Sequence, residues 1–444
     1  MIAGLASGSG KTMVTLGLLR ALARRGKAPA AGKTGPDYID SGFLSAAAGR
    51  KAVNLDQFAM SKPLLAHLAA NQAGDTLIIE GVMGLFDGAS GNAGSSAALA
   101  ESLDIPVILV MDIRHTAQTA AIIAAGIASL LPAGRIAGVI LNHVASPRHL
   151  ALVSEALAAY QIPLFGSVPS RDGLAVPSRH LGLVQAADFN NAGLEVILDH
   201  AADLIDEYCD LDAILDAAQR LPTAGKAVAA LPLPVTNPKA INPKATNPKA
   251  INPPAKTIAV ANDAAFGFAY HHLLAGWQQQ GAEIRPFSPL NDEKPADDAN
   301  FIFLPGGYPE LHLPTLSRNR QFLAGLNEAA MANIPIYGEC GGYMVLGTGI
   351  TDASGNRFDM AGLLDVETSF ANKKRHLGYR KFTPVEPFFW DGPFLGHEFH
   401  YTNVVSASGT PLFTAHDAND QPLGMAGLRK GSVAGSYLHI IAQS

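Results

Sequence analysis

An α/β protein of more than one domain is predicted by three features of the chain. In the first half, short apolar runs rich in β-formers alternate with helical stretches. Near the middle, a five-residue repeat interrupts that alternation. Beyond it, strand-like runs ending in glycine-bounded turns resume. At 444 residues the length suits two or three domains with their own cores, and a composition of 48% hydrophobic and 16% charged residues favours compact α/β material over disorder. A net charge of −6 provides no basic field for nucleic acid. Two cysteines, Cys209 and Cys340, do not make a disulfide framework and fit a reducing compartment. The first charged side chain is Lys11, so no basic region precedes an apolar segment. The weakly polar run over 119–133 is short and broken by Pro132, and it reads as a buried helix rather than a membrane span. A soluble, cytoplasmic protein is expected.

The first element is the stretch Ser7-Gly8-Ser9-Gly10-Lys11-Thr12, with apolar Ile2, Ala3 and Leu5 before it and a helical pattern from Met13 onward. Strand, glycine turn and helix N-terminus in that order form an anion cradle. Gly8 and Gly10 let backbone N–H groups converge, Lys11 offers a cation to the outer phosphates of a nucleotide, and the Thr12 hydroxyl can ligate Mg²⁺. The spacing departs from the usual one, because the glycine expected six residues before the lysine is Leu5, with Gly4 one place further out.

The runs Leu77-Ile78-Ile79, Val107-Ile108-Leu109-Val110-Met111 and Val139-Ile140-Leu141 are continuous and apolar, as strands buried on both faces should be. They predict a parallel sheet with helices on both sides, whose ligands gather beyond the carboxyl ends of the strands. Glu80, Asp112 and Asn142 follow those ends. Glu80 stands where a Mg²⁺ ligand opposite a phosphate loop is expected, Asp87 follows on a glycine-rich loop, and Asp37 and Asp40 lie in Gly35-Pro36-Asp37-Tyr38-Ile39-Asp40. Turn capping is the alternative role for each acid taken singly. Asn142 could read adenine or cap a turn.

Between 226 and 256 the motif Asn-Pro-Lys-Ala recurs with a period of five. Its prolines block helix and sheet alike, so a semi-extended tether is expected, dividing a domain over 1–225 from one over 257–444. In the second domain, Cys340 follows the apolar run at Ile334-Pro335-Ile336 and precedes Gly341-Gly342. A sharp strand-to-helix turn there should leave the thiol exposed and lower its pKa through helix N–H groups. Pro305-Gly306-Gly307 offers backbone N–H groups to an oxyanion, and His439 is a candidate proton carrier. Cys209 has no such setting and reads as structural. Gly396-His397-Glu398-Phe399-His400 reads as local structure near the site, since its spacing is not that of the helical His-Glu-x-x-His zinc motif.

Taken together, Ser-Gly-Ser-Gly-Lys-Thr, Gly-Pro-Asp-Tyr-Ile-Asp, Glu80-Gly-Val-Met-Gly-Leu-Phe-Asp-Gly and Arg179-His-Leu-Gly-Leu resemble the cobyrinic acid a,c-diamide synthase family. The first domain is similar to dethiobiotin synthetase in fold, a P-loop parallel-sheet domain. The second resembles a class I glutamine amidotransferase. The resemblance implies activation of a tetrapyrrole carboxylate by ATP as an acyl phosphate, which ammonia released from L-glutamine then converts to an amide. It implies ATP contacts at Ser7, Gly8, Ser9, Gly10, Lys11, Thr12 and Asn142, a Mg²⁺ site at Thr12, Asp37 and Glu80, and substrate contacts at Tyr38, Asp40 and Asp87. In the second domain it implies Cys340 as nucleophile, His439 as proton carrier, and Gly307 and Gly341 as oxyanion donors. The glutamate that many such domains carry two residues after the histidine is Ile441 here, as the resemblance leads one to expect of this branch. Cobyric acid synthase, a nickel-sirohydrochlorin a,c-diamide synthase and, further off, a partitioning ATPase are the alternatives, and a homodimer is allowed.

Overall fold

In a computed structural model the chain divides into two compact units, Met1–Pro243 and Lys244–Ser444. The structure describes residues 1–170, 191–218 and 251–444. The Arg179-His-Leu-Gly-Leu motif and most of the repeat lie outside the described residues.

The first unit is a seven-stranded sheet in the order β3-β2-β4-β1-β5-β6-β7. Its strands are β1 (Ile2–Gly4), β2 (Pro29–Thr34), β3 (Val53–Leu55), β4 (Thr76–Glu80), β5 (Val107–Asp112), β6 (Ile136–Val144) and β7 (Leu164–Pro169). Every neighbouring pair is parallel. The helices are α1 (Lys11–Arg24), α2 (Tyr38–Ala48), α3 (Lys62–Ala70), α4 (Ser96–Leu103), α5 (Thr119–Ser129), α6 (Pro147–Ala159), α7 (Asn191–Tyr208) and α8 (Leu211–Asp216). Leu16, Leu19, Val110, Ile140 and Leu198 are buried together in one cluster that joins α1, the sheet and α7. Strand order reverses at β1, flanked by β4 on one side and β5 on the other, so the loop after β1 opens at the crevice where such sheets bind ligands. Among the described residues no helix is long and apolar enough to cross a membrane. Cys209 fits the structural role expected of it: it bridges to Gly166 of β7, and burial pushes its thiol up to about 12.

The second unit has strands β8 (Thr257–Ala261), β9 (Glu283–Phe287), β10 (Phe301–Leu304), β11 (Ile336–Glu339), β12 (Gly349–Thr351), β13 (Arg357–Asp359), β14 (Val366–Ser369), β15 (His376–Pro384), β16 (Phe394–His400), β17 (Asn403–Ala407), β18 (Thr410–Asp417), β19 (Pro422–Lys430), β20 (Val433–Ser436) and β21 (Leu438–Gln443). Its helices are α9 (His271–Gln279), α10 (Leu313–Leu316), α11 (Arg320–Met331) and α12 (Gly341–Leu346). Ten strands run in the order β21-β16-β15-β18-β19-β20-β11-β10-β8-β9, and a smaller sheet has the order β13-β12-β14-β17. From β20 to β9 the strands are parallel, whereas from β19 to β21 the pairings are antiparallel. Only Tyr437 separates β20 from β21 in the chain, yet the two stand five pairings apart in the sheet. The antiparallel part must therefore curl back on itself, and this return carries His439 to the turn at Cys340. The last repeat is packed against this unit rather than standing free of it: Ile251 is buried, and Trp390 Nε1 donates to the Asn252 carbonyl at 2.9 Å.

Candidate functional site

In the first unit the phosphate loop leaves β1 at Gly4 and enters α1 at Lys11. Its inner wall is tightly held. Ser9 Oγ donates to the Ala6 carbonyl at 2.7 Å, Lys11 Nζ donates to the same carbonyl at 2.8 Å, and Asn142 Nδ2 donates to the Ser9 carbonyl at 3.0 Å. Gly10 has φ +95°, and a Cβ there would lie 2.1 Å from Asn142 Nδ2, so both its backbone and its neighbour require glycine. A Cβ at Gly4 would stand 3.0 Å from Lys11 Cγ, which explains a glycine at that place: the lysine stem lies over it. Ala6, Ser7 and Gly8 are exposed, leaving the outer face of the loop open. Burial pulls Lys11 below the usual lysine range, and Glu80 opposes this.

Glu80, at the end of β4, is fully buried and links the loop to a charge cluster. Its Oε1 accepts from Thr12 Oγ1 at 2.6 Å and lies 3.1 Å from Lys33 Nζ, which also meets Asp40 Oδ2 at 2.5 Å. Burial works against the charge on Lys33, but Glu80, Asp40 and Asp37 outweigh it and hold the ammonium well above its ordinary range. Burial pushes Glu80 up, against the pull of Lys33 and the Thr12 hydroxyl. Its Oε2 is buried without a hydrogen-bond partner among the described residues. An orphaned carboxylate oxygen beside a threonine hydroxyl at a phosphate loop suits a hard divalent cation.

Asp37 caps α2, its Oδ1 accepting from the N–H groups of Ile39 and Asp40 at 2.9 and 3.0 Å. Burial and Asp40 push its carboxyl up to about 6. Tyr38 opens the same helix. Asp87 is exposed on the loop after β4, where its Oδ2 accepts from Gly84 N at 2.8 Å and the Leu85 N–H donates to the Gly4 carbonyl at 2.8 Å. Lys33 is the member of this cluster that the motifs did not single out. A lone lysine near the end of a strand buried along its length was the available signal.

In the second unit Cys340 joins β11 to α12 with φ +48° and ψ −104°, a strained conformation for a residue with a side chain. The turn is as expected, but the exposure is not. Cys340 is buried, with Sγ 3.7 Å from the Phe399 carbonyl. Burial pushes its thiol well up, the Glu310, Glu339 and Glu398 carboxylates add to this, and the Gly341 N–H opposes it only in part. The expected thiolate is therefore replaced by a resting thiol, because strand β16 closes over a turn that sequence alone leaves open. Phe268, Gly307, Glu310, Cys340, Phe399 and His400 line a narrow pocket at the sulfur. A Cβ at Gly306 would fall 2.5 Å from His439 Cε1 and 3.4 Å from Cys340 Cβ, so the absent side chain leaves room for both to approach. A Cβ at Gly341 would lie 3.1 Å from Gly307 N, which puts the two backbones side by side at the pocket.

The His397-Glu398-Phe399-His400 stretch lies on β16, where alternation puts Glu398 and His400 on one face and register sets His376 opposite His400. These three side chains offer ligand atoms within 4.8 Å of one another. Both oxygens of Glu398 are engaged, however, by His400 Nε2 at 2.9 Å and Arg380 Nε at 2.8 Å, and the guanidinium charge opposes a cation. The cluster is internally paired, and of its members His400 lines the cysteine pocket, with the Tyr437 ring stacked on it at 3.7 Å.

Residues 1–184 match a family described as the CobQ/CobB/MinD/ParA nucleotide binding domain, and residues 257–444 match the CobB/CobQ-like glutamine amidotransferase domain. A hydrogenobyrinate a,c-diamide synthase of Rhizobium meliloti is 47% identical over 444 residues, covering 99% of this chain and 98% of the relative. One of the same name from Rhodobacter capsulatus is 43% identical over 449 residues, with the same coverage. A solved glutamine amidotransferase from Thermotoga maritima shares 16% identity with a TM-score of 0.30, over 43% of this chain and 76% of its own. The chain is a glutamine-hydrolysing amide ligase with a nucleotide-binding domain, and it belongs to the hydrogenobyrinate a,c-diamide synthase family.

Proposed function

We propose that this chain amidates the a and c acetate carboxylates of hydrogenobyrinic acid, using ATP and L-glutamine in the synthesis of cobalamin. One observation carries the reading: a single chain holds both a phosphate loop wired to buried carboxylates and a buried cysteine beside a histidine. In the second unit, Cys340 Sγ attacks the glutamine carboxamide carbon while His439 takes the thiol proton and returns it to the departing ammonia. The N–H groups of Gly307 and Gly341 receive the oxyanion. Water then cleaves the thioester, releasing glutamate and the free thiol. A resting neutral thiol suits this order, since proton removal is then tied to glutamine arrival.

In the first unit a substrate carboxylate oxygen attacks the γ-phosphorus of ATP, the bond to the β-phosphate oxygen breaks, and ADP leaves. Ammonia then attacks the acyl carbon and expels phosphate. Ser7, Gly8, Ser9, Gly10, Lys11 and Thr12 cradle the phosphates, and Asn142 braces that loop through Ser9 at the ATP site. Thr12 and Glu80, with Asp37 as the further acid, would hold Mg²⁺, which would neutralise phosphate oxygens. Tyr38, Asp40 and Asp87 face the macrocycle substrate, with Lys33 holding Asp40 and Glu80 in place. The names of the relatives favour the metal-free ring over cobyrinic acid or a nickel-bearing ring.

The test is mass spectrometry of hydrogenobyrinic acid, cobyrinic acid and nickel-sirohydrochlorin incubated with the full chain, Mg²⁺-ATP and glutamine. Two carboxyl-to-amide conversions on hydrogenobyrinic acid are expected. Conversion of another ring alone would overturn the substrate assignment. Cys340→Ala should lose glutamine-dependent amidation and keep it with added ammonia, and loss of both would overturn the two-site scheme.

A further inference from the structure

The position two residues after His439, where a carboxylate would orient the imidazole, is the buried Ile441. A different carboxylate reaches the ring. Glu339 ends β11 immediately before the nucleophile and is 2% exposed. Its Oε2 lies 3.6 Å from His439 Nδ1, and its Oε1 accepts from the N–H of Ile440, the next residue along, at 3.1 Å. The side chain therefore spans from the strand that presents the thiol to the strand that presents the histidine, with one oxygen fixed by backbone and the other facing the ring. A buried carboxylate needs such partners.

The rest of the surroundings is consistent. The His397 ring stacks on His439 at 4.7 Å and 17°, and its Nδ1 contacts Tyr270 Oη at 3.0 Å. Burial, His439 and Arg380 keep His397 well below the usual histidine range, so this neighbour packs the imidazole without adding a charge. Glu310 and Glu398 join Glu339 in raising the Cys340 thiol. Glu339 is the acid whose oxygen meets His439 at Nδ1.

We propose that Glu339 is the positioning residue of the glutaminase site, holding the proton of His439 on Nδ1 so that Nε2 carries none and can take the proton of Cys340. The nucleophile strand thereby supplies the third member that the chain lacks after its histidine. The inference rests on the Cys340 and His439 reading above. At 3.6 Å the pair is longer than a hydrogen bond, and such contacts commonly tighten when substrate binds.

The experiment compares Glu339→Gln and Glu339→Asp in the full chain, reading glutaminase kcat, KM and pH profile, with ammonia-dependent amidation as the measure of folding. E339Q should lower kcat about 100-fold or more with KM little changed. Both limbs of its pH profile should move to lower pH, because a carboxylate favours the imidazolium and disfavours the thiolate. E339D should recover part of the rate. A kcat within about threefold of the parent, or a fall with unmoved limbs, would overturn the inference. Should E339Q also lose ammonia-dependent amidation, nitrogen NMR of His439 in the unaltered protein decides: a proton on Nδ1 supports the proposal and one on Nε2 overturns it. Glutaminase activity surviving in Cys340→Ala would instead bring down the underlying reading.

Discussion

In the first unit, carboxyl and ammonium groups crowd together at the carboxyl ends of parallel strands, with Lys33 held between Glu80 and Asp40 and the phosphate loop open in front of them. In the second, a thiol is sealed beneath β16 with a buried histidine beside it. Phosphoryl transfer calls for fixed charges that are in place before the substrate arrives. Attack by a thiol calls for charge that appears only when glutamine does, so a neutral buried cysteine is stable at rest and does no chemistry alone. The contrast predicts that charge removal should cripple the first site through stability and chemistry together, while the second should respond chiefly in its protonation behaviour.

The largest effect is expected at Lys33. Replacing it by Met leaves the buried Glu80 carboxylate without its cation, which should cost about 3–5 kcal/mol in the first unit. Urea unfolding would show that loss, ATP-dependent amidation should vanish, and glutaminase activity should persist. Adding Glu80→Gln should restore much of the stability but not the activity. A fully stable Lys33→Met would mean that Lys33 is not the counterion on which the buried Glu80 depends.

A smaller effect separates the second unit by its pH dependence. Burial alone would raise the Glu398 carboxyl, but His400 and Arg380 bring it down to about 2 from the ordinary 4.5. A depressed carboxyl contributes stability above its unfolded pKa and loses that contribution as the pH falls towards the folded value. At roughly 1.4 kcal/mol per unit, Glu398→Gln should cost about 3 kcal/mol at pH 6. The deficit should shrink between pH 4.5 and pH 2. Denaturant midpoints across that range would check it, and a constant gap would assign the loss to packing.

The smallest effect sets a baseline for charges outside either site. Arg24 of α1 pairs with Asp199 and Asp203 of α7 at 2.9 and 2.6 Å, and all three side chains are a third or more exposed. Arg24→Ala should therefore cost less than about 1 kcal/mol and less still in salt. A cost near that of the Lys33 variant would erase the distinction between buried and solvated ion pairs.

Strands β1, β4, β5 and β6, the phosphate loop, the acid at the end of β4 and the turn that presents Cys340 could all be read from short contiguous stretches, whereas β2, β3 and β7 were not read. Each follows from apolar runs or from glycine in a turn, and such signals act over a few residues. The antiparallel part of the second unit was not legible in this way. Its strands are defined by register with partners far along the chain, and β21 pairs with β16 rather than with β20 beside it in sequence.

What the sequence determined by itself is therefore the chemistry available: a nucleotide loop, acids at strand ends, a cysteine on a glycine turn and a histidine near the end of the chain. Tertiary structure alone decided the electrical state of that chemistry. Lys33 became the counterion of Glu80 across 47 residues, and Glu339 met the backbone after His439 across 101. Cys340 passed from exposed to buried when β16 closed over it. Burial and pairing set the charge of a group, and both depend on which distant strands the sheet brings to it.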